Sequence, residues 1–227
     1  MISLIFLLQC VGVMAADFES IKMNIELPKE YYDLKAGIDN NDSKITFYET
    51  YIMKMKKEDL KNYIEQNSIL YYGVSSNGSK QLVLTEAQNG LTKKIFHLNT
   101  ATEKQMLEVK EGLNELATNQ NMEVTSQEVY QNNGITFVYS IIKNNSLTIY
   151  QYYTIVNGKG ITISLNSSYS NIQEKELKNI VDTITFEQLE EKPTDFTNYI
   201  IIGISVILVV MVIILMYMAF SGKKKEE

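Results

Sequence analysis

Residues 134–168, "GITFVYSIIKNNSLTIYQYYTIVNGKGITISLNSS", decide the fold. Apolar and polar residues alternate through three runs, the signature of half-buried β-strands. Asn157-Gly158 and Asn144-Asn145 interrupt the runs, and both pairs tolerate the positive φ that a two-residue type I′ turn requires. A turn at Asn157-Gly158 sets Tyr152 opposite Ile163 and Tyr150 opposite Leu165. The same turn at Asn144-Asn145 sets Phe137 opposite Tyr152 and Tyr139 opposite Tyr150. Both registers put Ile135, Phe137, Tyr139, Tyr150, Tyr152, Ile161, Ile163 and Leu165 on one face, whereas a slip of one residue would scatter them. The opposite face is mixed. It carries Val138, Ile142, Leu147, Ile149, Tyr153 and Ile155 beside Thr136, Ser140, Gln151, Thr162, Ser164 and Asn166, as expected where a helix covers only part of a sheet.

Three segments around this meander carry the helical rhythm. In "TATEKQMLEVKEGLNELATNQN", Thr100 and Glu103 form a capping-box pair, and Met106, Val109, Leu113 and Leu116 form the inward stripe. In "NIQEKELKNIVDTITF", Asn171 and Glu174 play the capping part while Leu177, Ile180, Val181 and Ile184 line one face. The shorter "KKEDLKNYIEQN" turns Leu60, Tyr63 and Ile64 inward. Upstream, "SIKMNIELPKEYYDL" and "SKITFYETYIM" alternate like strands, and "LYYGVSSNGSKQLVLTEAQ" reads as a hairpin. The expectation is an α+β domain, an antiparallel sheet of about six or seven strands with helices packed on it.

The two ends say where such a domain is held. Residues 199–220 contain no charge, which at the helical rise is about 33 Å, enough to span a bilayer core. Lys223, Lys224 and Lys225 follow, so the positive-inside rule puts the seven-residue tail, 221–227, in the cytoplasm. Residues 1–16 are apolar and end in small residues, like a secretory signal with cleavage near Ala16 or Asp17, although no lysine or arginine precedes them. The chain is therefore expected to hold a signal peptide (1–16), an extracytoplasmic domain (17–186), a linker (187–198), a transmembrane helix (199–220) and the cytoplasmic tail. Uncleaved retention of the leader as a second anchor is the alternative.

Composition narrows the partners. The only cysteine, Cys10, lies in the leader, so the exported domain has no disulfide; Gln9 sits where a lipoprotein signal wants a small residue. Between residues 17 and 196 there are 18 lysines, no arginine and 25 acids, a balance that argues against nucleic acid and against anionic lipid heads. Four glycosylation sequons, at Asn41, Asn77, Asn144 and Asn166, and the closing "KKEE" would suit the endoplasmic reticulum of a eukaryote. In a chain this rich in asparagine such matches arise by chance.

The order "MNIELPKEYYDLKAG", "EDLKNYIEQNSILYYGVSS", "QYYTIVNGKGITISLNSS" and "ELKNIVDTITF" resembles uncharacterised membrane-anchored proteins of Gram-positive bacteria, with a PsbP-like ectodomain over roughly residues 18–186. The resemblance implies an α/β/α sandwich whose final helix ends in a short I-x-F strand. It carries no catalytic residues onto this chain. Because members of the wider fold act as accessory or binding subunits, it implies a non-enzymatic binding role.

The residues themselves offer little chemistry. His97 is the only histidine, which rules out a His-based metal cluster and a triad built on a second one. It is read as a packed or surface residue whose one open role is a response to pH near neutrality. "DNNDSK", from Asp39, opens like a calcium loop but has Lys44 at the glycine position and Thr50 at the bidentate glutamate position. Glu190 and Glu191 lie in the linker, with no wall to raise a carboxyl pKa. Neither a catalytic residue, a metal ligand nor a cofactor is expected. Tyrosine is frequent, with 15 residues, and in the doublet Tyr152-Tyr153 one ring enters the core while the other emerges on the mixed face. Tyr153, Gln151 and Ser164 are therefore the candidate surface for a ligand or partner. Two functions remain: a membrane-tethered, outward-facing binding domain that engages another envelope protein, or a small-ligand or glycan sensor using that face. Protease added to intact cells should remove the folded body and spare the last residues; clipping of the tail alone would invert the orientation.

Overall fold

The structure, a computed structural model, describes residues 12–48, 55–144, 147–167 and 173–192. Among them no helix is long and apolar enough to cross a membrane. The leader up to residue 11, the apolar segment 199–220 and the lysine tail lie outside the described residues.

The meander forms as its turns dictate. Strands β6 (Glu123–Asn132), β7 (Ile135–Lys143), β8 (Thr148–Val156) and β9 (Lys159–Ser167) run antiparallel. Asn157 and Gly158 have φ of 53° and 71°, and Tyr152 lies opposite Ile163 and Tyr150 opposite Leu165, as expected. The β7–β8 register differs from expectation. Tyr139 faces Tyr152 and Ile141 faces Tyr150, because the hairpin closes through the Asn144 N–H to Leu147 carbonyl bond, one position beyond the Asn-Asn turn. That moves each partner by two residues, so no side chain changes face. All eight residues of the apolar face are buried in one cluster.

Strand β6 was not anticipated. Asn133-Gly134, with φ of 48° and 76°, makes a second type I′ turn and pairs Asn132 with Ile135. Upstream come β1 (Val13–Phe18), β2 (Met23–Pro28), β3 (Tyr31–Asp33), α1 (Leu34–Asn40), α2 (Ser43–Phe47), α3 (Lys57–Gln66), β4 (Ile69–Ser75) and β5 (Lys80–Ala87). Helices α4 (Gly90–Lys94) and α5 (Glu103–Asn119) follow β5, and α6 (Gln173–Val181) and β10 (Thr185–Phe186) close the fold. Seven strands form the main sheet in the order β3-β4-β5-β9-β8-β7-β6, and β1-β2-β10 form a second, three-stranded sheet. The segment "SKITFYETYIM", expected as a strand, opens as helix α2 instead. The Asp42 carboxylate accepts the Lys44 N–H at its start, and Ile45 and Tyr48, three apart, bury together, a helical spacing that also reads as loose alternation.

Both faces of the main sheet are covered. The small sheet and α6 close over the apolar face, where Met23, Leu165, Leu177 and Val181 have no exposed surface. Leu177, Ile180, Val181 and Ile184 all point inward, as the spacing predicts; the cap at Asn171 lies outside the described residues. On the opposite face α1, α2 and α3 pack against β4 through Leu34, Ile45, Leu60, Ile64 and Tyr72, while Tyr63 stays half-exposed. At the other end of that face α5 packs on Val138, Tyr153 and Ile155.

Strand β1 pairs with β2 from Val13, so it runs through both expected cleavage points, with Val13 and Met14 exposed. The polar stretch after Phe186 does not leave the body at once. The Glu187 N–H donates to the Lys22 carbonyl, and the Glu190 N–H donates to Asn157 Oδ1 at 2.9 Å. The Asn157 amide donates in turn to the Gln188 carbonyl. His97 completes this strap. Its Nε2 lies 2.7 Å from the Glu190 carbonyl, which can only accept, and its Nδ1 lies 3.3 Å from the Asn157 N–H, which can only donate. Those partners suit the tautomer that carries its proton on Nε2. His97→Ala removes both bonds and should speed limited proteolysis between residues 187 and 192 while the rest of the body resists; equal cleavage of variant and wild type would refute the strap.

Candidate functional site

The mixed face of the sheet holds the most site-like feature, and α5 creates it. That helix begins two residues later than the sequence suggested. Thr102 Oγ1 accepts the Gln105 N–H, and Gln105 Oε1 accepts the Thr102 N–H at 2.9 Å. Thr100 is diverted into a 3-10 turn, Leu98–Thr100, where its hydroxyl donates to the His97 carbonyl. Both Thr100-x-x-Glu103 and Thr102-x-x-Gln105 fit the capping box, so spacing alone does not choose between them. The inward stripe is Val109, Leu113 and Ala117, with Met106 half-buried. Leu116, expected inside, is 60% exposed.

Leu116 is exposed because the helix does not close down on the sheet beside it. A groove of about 460 Å³ opens between α5, the start of α4 and strands β7, β8 and β9. Its helix wall is Val109, Gly112, Leu113, Leu116 and Ala117, and its floor is Ile142, Ile149, Gln151, Tyr153 and Thr162. Among the described residues no acidic or basic side chain lines it, although the domain as a whole is acidic. Gly112 lies on this wall facing open space: a β-carbon built there meets nothing within 4 Å. A glycine inside a helix costs roughly 0.5–1 kcal/mol relative to alanine, and here no close approach or positive φ requires it.

Under α5 the floor carries a polar row. Gln127, Ser140, Gln151 and Ser164 are cross-strand partners in register on β6, β7, β8 and β9. Gln127 donates to the Lys110 carbonyl of α5 at 3.2 Å. Ser140 is fully buried, and its hydroxyl has no hydrogen-bond partner among the described residues. Gln151 lines the groove, half-buried, with no side-chain partner among the described residues. Of the three candidate residues, Gln151 and Tyr153 line the groove and Ser164 lies beside Gln151 outside it. The expectation of an exposed Tyr153 ring fails. It is 8% exposed, and burial pushes its phenol up to about 12. The ring packs under α5 with Val138 and Ile155, and its hydroxyl occupies the space where a β-carbon on Gly160 would sit. It is a wall of the groove and offers no free face for stacking on a sugar.

Other clusters are already satisfied internally. A cavity of about 430 Å³ between β2 and α6 contains the Lys80–Glu176 ion pair at 2.5 Å, and the Tyr31 hydroxyl donates to the same carboxylate at 2.7 Å. Tyr130, Lys178 and Asp182 bond one another where α6 meets β6. Burial opposes the Asp182 charge, but hydrogen bonds from Lys178 and Tyr130 outweigh it and hold the carboxyl below its ordinary range. Among the described residues no group of three or more His, Cys, Asp or Glu is placed to hold a metal.

Ser140→Ala deletes a buried hydroxyl that has no partner, so it should raise stability by about 1 kcal/mol in urea unfolding. A loss of stability would show that the hydroxyl is bonded.

No protein-family profile matches the sequence, and no curated protein matches it. Among solved structures, the cyanobacterial PsbP protein CyanoP from Synechocystis aligns with a TM-score of 0.50 at 8% identity, over 79% of this chain and 95% of that one. The Ran-binding protein Mog1p of Saccharomyces cerevisiae aligns at 0.43 and 9% identity, over 78% of this chain and 96% of that one. At such identities the likeness is one of fold alone. The chain has an α+β fold of antiparallel sheets and packed helices that resembles PsbP.

Proposed function

We propose that this protein is a non-enzymatic, membrane-tethered binding domain that faces outward. The groove beside α5 is its binding element, and its role is accessory to another protein of the envelope. The observation that carries the reading is the groove itself. A cavity of about 460 Å³, without a charged side chain in its described lining, is walled in part by a helix glycine and floored by an amide that has no side-chain partner among the described residues, an arrangement suited to receiving something rather than to completing a core. The uncharged segment 199–220 and the lysines behind it support the tether, the leader supports export, and the resemblance to membrane-anchored proteins of Gram-positive bacteria agrees with both.

The second reading, a small-ligand sensor, uses the same groove and is favoured by its volume. Its glycan form is not, because Tyr153 is packed and the lining is mainly aliphatic.

Crosslinking in living cells, followed by mass spectrometry, should recover one specific envelope protein with the wild type. Gly112→Phe, which fills the groove from the helix side, should lose it or reduce it several-fold. Recovery of no specific partner with or without crosslinker overturns the accessory role, and equal recovery with Gly112→Phe separates that role from the groove.

A further inference from the structure

The chemistry of the groove narrows its ligand, on the reading that the groove is a binding element. Most of the described wall is apolar, with Leu91, Leu113, Leu116, Ile142, Ile149 and Tyr153 its larger side chains. A charged group placed there would lose its hydration and meet no opposite charge among the described residues of the lining. Polar capacity is concentrated on the floor. Asn89, at the α4 end, already spends its side-chain oxygen on the Leu91 and Thr92 N–H groups. Thr162 is a small hydroxyl on β9, in register with Tyr153, and Gln120 lies at the exposed end of α5. Gln151 is different. It projects from the centre of the sheet, in register between Ser140, whose buried hydroxyl is unpartnered, and Ser164, and its amide offers both donors and an acceptor to whatever enters.

We infer that the groove takes a neutral amphiphile, an extended apolar body with one uncharged head of the amide or ester-carbonyl kind, and that Gln151 reads the head. The body replaces water along α5 and the head satisfies the amide.

Three probes with one chain and different heads test this: decanamide, decanoate and decylamine, added to the purified protein near neutral pH, with the shift in thermal midpoint as the readout. Decanamide should raise the midpoint by several degrees and the two charged probes should not. Gly112→Phe should abolish the decanamide response while its own unliganded midpoint stays at or above that of the wild type. Gln151→Leu should bind decanamide roughly tenfold more weakly, the worth of one or two net hydrogen bonds, with its fold intact. If Gly112→Phe proves unstable, Gly112→Leu takes its place.

No shift with decanamide, or equal shifts with all three probes, overturns the ligand class. A decanamide shift that survives Gly112→Phe places binding elsewhere and overturns the site. The accessory role is judged separately by the crosslink in living cells, so a groove whose Gly112→Phe variant loses its partner but which ignores decanamide would keep the role and lose this ligand.

Discussion

Two asparagine-glycine turns hold the molecule in register, and the rest of the fold depends on them. Asn133-Gly134 and Asn157-Gly158 each supply the pair of positive φ angles that a two-residue hairpin needs, so β6 with β7 and β8 with β9 pair without freedom to slip. With that register set, aromatic and branched side chains stack across four strands on one face. Tyr152 lies edge-on to Tyr130 and Phe137, with Tyr139 tilted 4.8 Å from it. A face this apolar cannot remain in water. At about 25 cal/mol per Å² of buried apolar surface, it becomes the platform onto which α6 and the small sheet close.

The same register builds the opposite face, where the outcome is different. Because side chains alternate, whatever is not in the apolar set must appear under α5, and there the rows differ from one another. Val138 and Tyr153 make an apolar row that seats the helix, while Ser140 and Gln151 make a polar one that cannot. Helix α5 settles over the first row and leaves a gap along its flank. Gly112 lies on that flank, where a larger side chain would fill the gap and strengthen the helix. Gly112 on the helix side and Gln151 on the sheet side thus face this gap, and nothing described packs against either one's open side.

Much of this was legible before any coordinates. The buried face of β7, β8 and β9, the inward face of α6 and the β4–β5 hairpin follow from period and turn chemistry, which are local. What was missed needed information from further along the chain. Strand β6 is largely polar outside Val124, Val129 and Tyr130 and has no strong alternation of its own, yet the Asn133-Gly134 turn at its end was a signal that could have revealed it. Helix α2 has only five residues, too few for its period to stand out from alternation, and the cap of α5 was ambiguous between two overlapping boxes. His97 carried no sequence signal at all. Its two partners, Asn157 and Glu190, are 60 and 93 residues away, and only the folded chain brings them to one ring.

For the candidate site, the face was legible but the exposure was not. Gln151 and Tyr153 were placed on the correct side of the sheet, and alternation alone could go no further. Whether a ring on that side is a free platform or a packed wall depends on where the helix lands, and α5 lands on Tyr153. The exposed aromatic patch that a sugar would need is therefore absent among the described residues of this face, and the polar group left accessible beside it is an amide. An amide in an uncharged cavity can pair with another neutral donor and acceptor at little cost in desolvation, whereas a carboxylate or an ammonium entering the same space would forfeit its hydration for a single hydrogen bond. What disfavours a charged group in this groove is thus less Gln151 than the apolar lining around it.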